Sequence, residues 1–284
     1  MIRRFFSKLL FFSMLTILIC CHPDRQKEVS HTWNGKYLIE PEDTADLRYL
    51  RRTLETFQCE RCIDSATLSY LIVDDTEDQP YVVAEYHPDK LLIPASVQKL
   101  LVTGAALEIL GPLAEHDVAV TNLNSHNGLA NKLVKEIGES VFHDRSYFSG
   151  CRAVIEFWRD KGVDMTGVTL VDGSGRRYEN SLTARQLVDI LYYQTTAPTF
   201  GTFYSSLPLA GISGTMKRML NGTVAEGKVR AKTGTLAAVK SLAGYVSTMS
   251  GRRLIFAIIV NNYTCRTSVM KKKLEGVLVK MTEL

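Results

Sequence analysis

The most constraining feature of the sequence is the segment from Val97 to Leu110, in which nearly every residue is apolar or small. A helix that is hydrophobic on every side is buried at the centre of a domain rather than lying on its surface. Pro94 precedes the segment and can lead into a helix, and Gly111-Pro112 follows it as a standard terminator. The sequence therefore predicts a buried central helix from about Ala95 to Leu110.

Two polar side chains stand at the start of this segment. Ser96 and Lys99 are three positions apart, so on a helix they share one face. Free backbone N–H groups and the helix dipole at that end favour developing negative charge, which suits a nucleophile beside its base. By itself the pattern is weak, because an N-cap serine and an ordinary lysine also produce it. The chain has a second copy, Ser268-Val269-Met270-Lys271.

Hydrophobic periodicity places strands near both ends of the chain and helices between them. Residues 66–73 and Tyr81–Tyr86 are predicted strands joined by an acidic turn, and therefore a hairpin. Short turns join three further strands at 228–235, 240–248 and 253–262, which we expect to be antiparallel neighbours. Helices are predicted at Leu47–Phe57, Asn127–Ile137 and Arg152–Lys161, from the N-cap Thr183 to Gln194, and at Ser268–Met281.

This order of elements predicts a mixed α/β (α+β) fold. With 284 residues, the chain is long enough for one large domain or two small ones. We expect one domain over residues 46–284, with an antiparallel five-stranded sheet built from residues 65–90 and 226–284. A mainly helical lobe, about 95–225, is inserted between the two parts of the sheet.

The first 21 residues have the layout of an export signal. A basic start precedes an apolar run from Leu9 to Ile19, which is short for a membrane span. Cys21 stands where a bacterial lipoprotein would be lipidated, although Cys20 is a poor match for the small residue expected before it. A cleaved signal, a lipoprotein signal and an uncleaved anchor remain open, and each places the body of the protein outside the cytoplasm. Residues 22–45 are polar without periodicity and are predicted to be a linker.

Composition excludes several kinds of partner. The net charge of +4 falls to +1 without the three basic residues of the first segment, so no nucleic-acid partner is expected. Cys59-Glu60-Arg61-Cys62 has the spacing of a redox or zinc motif, but no second Cys or His pair completes a metal site. In an exported protein a local disulfide or two plain thiols is the better interpretation. Metal spacings and Gly-rich phosphate loops are absent from the sequence, so we expect no cofactor.

Two further motifs select between the Ser-x-x-Lys pairs. Ser125-His126-Asn127 precedes a predicted helix, and Lys232-Thr233-Gly234-Thr235 lies in a predicted strand. A Ser-x-Asn should occur about once by chance in such a chain, but a Lys-Thr-Gly in only about one chain in fifteen. The order Ser-x-x-Lys, Ser-x-Asn, Lys-Thr-Gly is the signature of penicillin-interacting serine enzymes. Ser268 follows all the other motifs and cannot head the series, which leaves Ser96 and Lys99.

Several further stretches match one enzyme family. They are Pro94-Ala95-Ser96 with Lys99, Leu110-Gly111-Pro112, Asp172-Gly173-Ser174-Gly175, Leu207-Pro208-Leu209-Ala210-Gly211, Gly214-Thr215, Ala231-Lys232-Thr233-Gly234-Thr235 and Ser241-Leu242-Ala243-Gly244-Tyr245. Over roughly residues 65–265 the chain resembles the low-molecular-mass D-alanyl-D-alanine carboxypeptidases of the peptidase S13 type, which are penicillin-binding proteins. The resemblance implies a β-lactamase/transpeptidase-like fold.

The chain departs from this family in three places. Family members usually carry a long insertion of extra domains between the first and second motifs, whereas here Ser125 follows Leu110-Gly111-Pro112 closely. Arg176 stands where the family tends to have a leucine, and His126, which we expect to be an exposed loop histidine, replaces the commoner Asp or Asn. The first two departures concern substrate preference more than the basic chemistry.

The resemblance implies acyl transfer in two steps through a covalent serine intermediate. Ser96 would attack the carbonyl between the two terminal D-alanines of a peptidoglycan stem peptide, and Lys99 would take its proton. Ser125 would relay a proton to the leaving amine, and Asn127 would hold Lys99 and the substrate amide. Water would then release the acyl group. A β-lactam is expected to acylate the same serine.

The third motif is expected to bind the end of the substrate. Lys232 would attract the terminal carboxylate, and Thr233 or Thr235 would hydrogen-bond it, in the substrate-binding run that also contains Gly234. By resemblance, the backbone N–H groups of Ser96 and Thr235 form the oxyanion hole.

Three classes of function remain open. The first is a cell-wall DD-carboxypeptidase or DD-endopeptidase, and the balance between these two is not decided by the sequence. The second is a serine β-lactamase, which must deacylate quickly; class A members use a glutamate, and Glu156 and Glu179 lie in unrelated surroundings. The third is a non-catalytic penicillin-binding-like protein that binds wall fragments or a partner. Oligomeric state and lipidation are also undecided.

Overall fold

A computed structural model describes residues 37–39, 44–59, 62–63, 66–77 and 79–284. The predicted export signal, with Cys20 and Cys21, lies outside the described residues, and so does most of the predicted linker.

The core of the fold is one sheet with strand order β1-β3-β2-β6-β5-β4. As predicted, five of these strands are antiparallel neighbours drawn from both ends of the chain. The two-residue β1 adds a sixth strand at the edge, parallel to β3. The strands are β1 Leu38–Ile39, β2 Thr67–Asp74, β3 Tyr81–Tyr86, β4 Val229–Leu236, β5 Val239–Ser247 and β6 Arg253–Asn261.

Strand β1 lies within the predicted linker, and here the structure differs from the expectation. Tyr37, just before β1, is fully buried, and its hydroxyl donates a 2.6 Å hydrogen bond to Asp189. A long-range contact of this kind leaves no mark in local periodicity, so the sequence did not reveal it. Tyr37 to Ile39 are therefore part of the folded domain and not of a free linker.

Eight α-helices are described. They are α1 Ala45–Gln58, α2 Lys99–Ile109, α3 Glu115–Asn124, α4 Asn127–Phe142, α5 Tyr147–Asp160, α6 Ala184–Thr196, α7 Phe200–Ser206 and α8 Thr267–Glu283. The five helices expected on either side of the central segment are present, and each is longer overall than predicted. Helices α3 and α7 were not predicted, because α7 has only seven residues and α3 has no strong hydrophobic periodicity.

The predicted central helix is present in two parts. Residues Ala95–Gln98 form a single 3₁₀ turn, and the α-helix α2 begins only at Lys99. Every residue of α2 from Lys99 to Leu107 is buried. Gly104 lets α2 pack closely against Trp158 of α5, because a Cβ at this position would lie 2.8 Å from the indole ring.

Two apolar cores lie on the two faces of the sheet, and β6 contributes to both. Ile255, Ala257 and Ile259 point to the helical lobe around α2, whereas Leu254, Phe256 and Ile258 point to α1 and α8. This alternation follows from the two-residue period of a strand. Because α2 is enclosed between the sheet and the other helices of the lobe, its first turn is held rigidly against the sheet.

Among the cysteines of the described residues, Cys59, Cys151 and Cys265 are free thiols. Cys59 is exposed, Cys62 and Cys265 are half-buried, and Cys151 is buried. Because Cys59 is a free thiol, the Cys59–Cys62 disulfide of the first interpretation is not formed in the structure.

Candidate active site

Ser96 and Lys99 meet at the junction between the 3₁₀ turn and α2. Ser96 is half-buried, and Lys99 is fully buried with its Nζ 2.8 Å from Ser96 Oγ. The preceding residue, Ala95, has φ +51°, a left-handed conformation that costs an alanine about 1–2 kcal/mol. The surrounding structure holds this strained turn, and it directs Ser96 towards a cavity.

Lys99 has three oxygen neighbours within hydrogen-bond distance. Its Nζ donates to Asn127 Oδ1 at 2.9 Å and to the carbonyl of Ser174, both of which can only accept. A neutral amine has two N–H groups and one lone pair. Lys99 Nζ also donates to Ser96 Oγ. When the amine loses a proton, the two carbonyl oxygens can keep its two N–H groups, and its lone pair can then accept the Ser96 hydroxyl hydrogen instead.

Burial is the main cause of the low basicity of this amine. Desolvation lowers the pKa of Lys99, Asp172 partly opposes the shift and Arg176 adds to it, and together they bring the pKa to about 7. A substantial fraction of the amine is therefore unprotonated near neutral pH. This is the state required of a general base.

The second motif lies where α3 ends and α4 begins. Ser125 has φ +55° and ψ +42°, so the chain turns through a left-handed residue and places its side chain at the cavity. Asn127 starts α4 and reaches Lys99. His126 is exposed, as expected, and it also caps α4: its Nδ1 accepts a 3.0 Å hydrogen bond from the backbone N–H of Leu129.

The third motif connects to the second through Lys232. Its Nζ donates to Ser125 Oγ at 2.9 Å and to the carbonyl of Thr233 at 2.9 Å. Lys232 is fully buried, and desolvation together with the nearby Lys99 and Lys240 holds its pKa well below the usual value. The three motifs thus form one continuous chain of hydrogen bonds and charges.

Gly234 lets strand β4 approach the turn that carries Ser96. A Cβ at this position would lie 3.0 Å from the Ser96 backbone nitrogen and 2.1 Å from Ser241 Oγ. Ser241 uses that hydroxyl to donate a 2.6 Å hydrogen bond to the carbonyl of Pro94. The strand and the turn are therefore in direct contact, which only a residue without a side chain allows.

A loop that sequence reasoning left without a role completes the support of Lys99. The Ser174 carbonyl accepts from Lys99 Nζ and, at 3.4 Å, from Ser96 Oγ. The Asp172 carboxylate holds this loop by accepting from Ser174 Oγ at 2.6 Å and from the Gly175 N–H at 3.0 Å. Gly175 has φ +75°, and a Cβ there would meet the Ala95 carbonyl at 2.0 Å. The stretch Asp172-Gly173-Ser174-Gly175 was among those that match the family, and this match was the only sign in the sequence that the loop belongs to the site.

These residues border an open cavity of about 350 Å³. Its only charged lining residue is Arg176, which forms no ion pair with any described residue, whereas Arg177 pairs with Glu179. The cavity lies above Lys99 and Lys232 and has no acidic lining, so its field favours an anionic ligand. The lining residues are Ser96, Ser125, Asn127, Arg176, Thr233, Thr235 and Leu236.

All eight residues singled out from the sequence lie at or directly beneath this cavity. Lys99, Lys232 and Gly234 are buried under it, and the other five are at its wall. The second Ser-x-x-Lys pair is elsewhere: Ser268 is exposed in the first turn of α8, and Lys271 binds the Arg218 carbonyl at 2.8 Å.

Fold and site together define a β-lactamase/transpeptidase-like serine protein. A class A β-lactamase from Bacteroides cellulosilyticus superposes with a TM-score of 0.64 at 17% identity, over 84% of this chain and 99% of that chain. Penicillin-binding protein 4 from Haemophilus influenzae superposes with a TM-score of 0.52 at 24% identity, over 58% of this chain and 39% of that one. At these identities the likeness shows the fold alone.

Sequence comparison defines the family within this class. Residues 112–283, more than half of the chain, match the D-Ala-D-Ala carboxypeptidase 3 (S13) family, and the chain belongs to it. A D-alanyl-D-alanine carboxypeptidase of Actinomadura is 40% identical over 145 residues, which are 49% of this chain and 27% of that protein. The chain spans only 27–36% of the length of this and two further curated relatives. The matched range contains the second and third motifs, and Ser96 and Lys99 lie just before it.

Proposed function

We propose that the protein is a serine-type D-Ala-D-Ala carboxypeptidase that acts on peptidoglycan stem peptides through an acyl-enzyme on Ser96. The observation that carries the proposal is the 2.8 Å contact between Ser96 Oγ and an amine whose pKa burial lowers to about 7. Membership of the S13 family and the likeness to carboxypeptidases support the substrate class.

In the acylation step, the Ser96 hydroxyl gives its proton to Lys99 Nζ while Oγ attacks the carbonyl carbon between the two D-alanines. The tetrahedral oxyanion forms against the backbone N–H groups of Ser96 and Thr235, donors that need no reorganisation during the reaction. The contact between Gly234 and the Ser96 nitrogen supports this assignment, because it brings β4 beside the turn.

Collapse of the intermediate breaks the C–N bond and releases D-alanine. Its amine must gain a proton, and Ser125, hydrogen-bonded to Lys232, is the hydroxyl placed to relay it. Asn127 holds Lys99 in place and leaves its own amide nitrogen for the substrate backbone. Water then attacks the ester carbonyl with Lys99 as base and regenerates Ser96. If an amine attacks instead, the product is a transpeptide, and the same chemistry on a cross-link is DD-endopeptidase activity.

The terminal carboxylate of the substrate is assigned to the Lys232–Thr235 end of the cavity. Lys232 lies beneath it, and the hydroxyl-bearing Thr233 and Thr235 line it. A β-lactam carries an amide carbonyl and a carboxylate in a similar relation, so penicillin is expected to acylate Ser96.

A serine β-lactamase is the second candidate, because such enzymes share the fold and the three motifs. Fast deacylation in that class needs a glutamate, and none lines the cavity in the described part of the chain. Glu156 pairs with Arg152 and Glu179 with Arg177, both away from the cavity lining. A non-catalytic wall-binding protein is the third candidate, and the complete set of hydrogen bonds around Lys99 argues against it.

The proposed place of action is the cell envelope, with residues 1–21 as export signal and with Cys21 as the lipid-bearing residue if the segment is a lipoprotein signal. The described helices include none that is both long and apolar enough to cross a bilayer.

A labelled penicillin tests the proposal. The purified protein is incubated with the label, and the adduct is located by mass spectrometry over time. A long-lived adduct on Ser96, with release of D-alanine from a stem pentapeptide, supports the carboxypeptidase, whereas rapid turnover of the label supports the β-lactamase. No adduct would exclude both enzymes. Ser96→Ala should abolish the adduct, and Ser268→Ala, at the second Ser-x-x-Lys pair, should leave it unchanged.

A further inference from the structure

A third lysine near the cavity has no role in the chemistry above. Lys240 lies in β5 directly opposite Thr235 of β4, in the turn-proximal part of the hairpin. Side chains that face each other across two antiparallel strands lie within contact distance. Here Lys240 Nζ donates a 2.6 Å hydrogen bond to Thr235 Oγ1.

Lys240 is buried, with 7% of its surface exposed, and none of the described residues forms an ion pair with it. Its charged neighbours on α8 are Lys271 and Glu275, which pair with each other at 3.5 Å. Desolvation lowers the pKa of Lys240, Lys271 lowers it further, and Glu275 opposes the shift. Burial of a cation without a partner is costly, so its position calls for a reason other than stability.

The direction of the Lys240 hydrogen bond determines what Thr235 can do. A lysine ammonium has donors only, so Thr235 Oγ1 is the acceptor in this pair. Its own O–H is then free to donate elsewhere, and Thr235 is exposed at the cavity wall. Thr233 differs, because its hydroxyl is hydrogen-bonded at 2.9 Å to that of Thr215. Of the two threonines, Thr235 is the one whose hydroxyl is oriented by a cation.

We infer that Lys240 is a positioning residue for the terminal carboxylate of the substrate. It holds Thr235 as a hydrogen-bond donor towards the cavity, and its buried charge strengthens that donor. A carboxylate can only accept, whereas a C-terminal amide also presents N–H groups. Lys240 thereby favours peptides with a free C-terminal carboxylate over their amides. The inference rests on the proposed function and specifies how its substrate is selected.

The test measures binding without turnover, in the Ser96→Ala variant. An acyl-D-Ala-D-Ala peptide and its C-terminal amide are titrated, and both dissociation constants are obtained by NMR. Lys240→Met is expected to weaken binding of the free acid about tenfold, the usual order for a charge-assisted hydrogen bond, and to leave binding of the amide within about twofold. Lys240→Arg should retain the preference for the acid. Lys272→Met, an exposed lysine of α8, is the matched control and should change neither constant.

A second comparison separates positioning from a general structural role. Thr235→Val should reduce the preference for the free acid about as much as Lys240→Met does, and adding Lys240→Met to it should change the ratio of the two constants by less than about twofold, because the pair acts as a unit. The inference is overturned if Lys240→Met weakens binding of the acid and of the amide equally, or if it changes neither dissociation constant. It is also overturned if Lys240→Met has its full effect in the Thr235→Val variant. Should Lys240→Met fail to fold, unchanged discrimination in Thr235→Val would overturn it as well. Failure of the proposed function would appear separately, as no penicillin adduct on the wild-type protein.

Discussion

The Cβ position of Gly234 would lie 3.0 Å from the backbone nitrogen of Ser96, although the two residues are far apart in sequence and belong to different elements. The position of strand β4 therefore limits where Ser96 and its backbone N–H can lie in the cavity. Several tests of the site follow from contacts of this kind.

Gly234→Ala is expected to impair acylation strongly. The new methyl group would meet Ser241 Oγ at 2.1 Å and the Pro94 carbonyl at 2.9 Å, so β4 must move away from the turn. Overpacking of this kind costs about 1–3 kcal/mol, and a displaced oxyanion hole should lower the acylation rate by at least about tenfold. The rate is measured with labelled penicillin. Gly201→Ala, in α7 with open space around it, is the control and should acylate normally. Equal rates for both variants would contradict the proposed geometry.

The acylation rate is expected to rise with pH and to reach half its maximum near pH 7. In the proposed mechanism the neutral amine of Lys99 is the base, and its pKa of about 7 sets the fraction available. The second-order rate constant with labelled penicillin, measured between about pH 5 and 9, reports this pKa in the free protein. A rate that is constant over this range would exclude Lys99 as the titrating base.

Arg176→Gln should shift the midpoint of this pH profile to higher pH. The guanidinium lowers the pKa of Lys99, so its removal raises that pKa and more alkaline solution is needed for the same neutral fraction. The shift should shrink at high salt, because Arg176 is exposed. Arg177→Gln removes the neighbouring arginine, which pairs with Glu179, and should leave the profile unchanged. Identical profiles for the two variants would contradict the coupling.

Lys232→Met should abolish activity and yet stabilise the protein at low pH. Burial holds the folded-state pKa of Lys232 well below 10.5, the value in the unfolded chain. The unfolded chain therefore binds the proton more tightly, and this favours unfolding at every pH below about 10.5. The stability gain of the variant should be largest below the folded-state pKa and should disappear above about 10.5. Urea unfolding at pH 6 and at pH 10 measures it. A gain of the same size at both pH values would show that packing, not charge, is responsible.

Asp172→Ala is expected to loosen the loop that supports Lys99. The carboxylate accepts from Ser174 Oγ, the Gly175 N–H and, at 2.9 Å, Asn180 Nδ2, so its loss leaves three donors without their acceptor. Loss of such a buried network typically costs about 2–3 kcal/mol in the free energy of unfolding, and the acylation rate should fall as well. Thermal unfolding and labelled penicillin measure the two effects. Asp164→Ala, an exposed aspartate that caps a turn at Thr166, is the control and should have little effect on either.

The local parts of the structure were accessible from the sequence. The apolar segment predicted the buried helix α2, strand-like runs joined by short turns predicted the five antiparallel strands, and Thr183 was identified as the cap of α6, where it forms a full capping box. Each of these depends on neighbours a few residues away, which a sequence pattern records directly.

The elements that escaped prediction depend on distant contacts. Strand β1 is held by Tyr37 and Asp189, which are 152 positions apart, and the left-handed turn at Ser125 has a non-glycine residue that no local rule assigns. Lys240 also drew no attention, because a lysine in a strand is ordinary until the strand opposite places Thr235 against it.

The order of the three motifs along the sequence predicts serine acyl transfer. A serine and a lysine share one helical turn, and two further motifs of the same class of enzymes follow them. Only the tertiary structure decided the state of those groups. The pKa of the Lys99 amine is lowered because α2 is buried between the sheet and the helices, and the amine is held in place by Ser174, 75 positions away. Burial and contacts between distant segments set a pKa, and neither is encoded in the spacing of two residues.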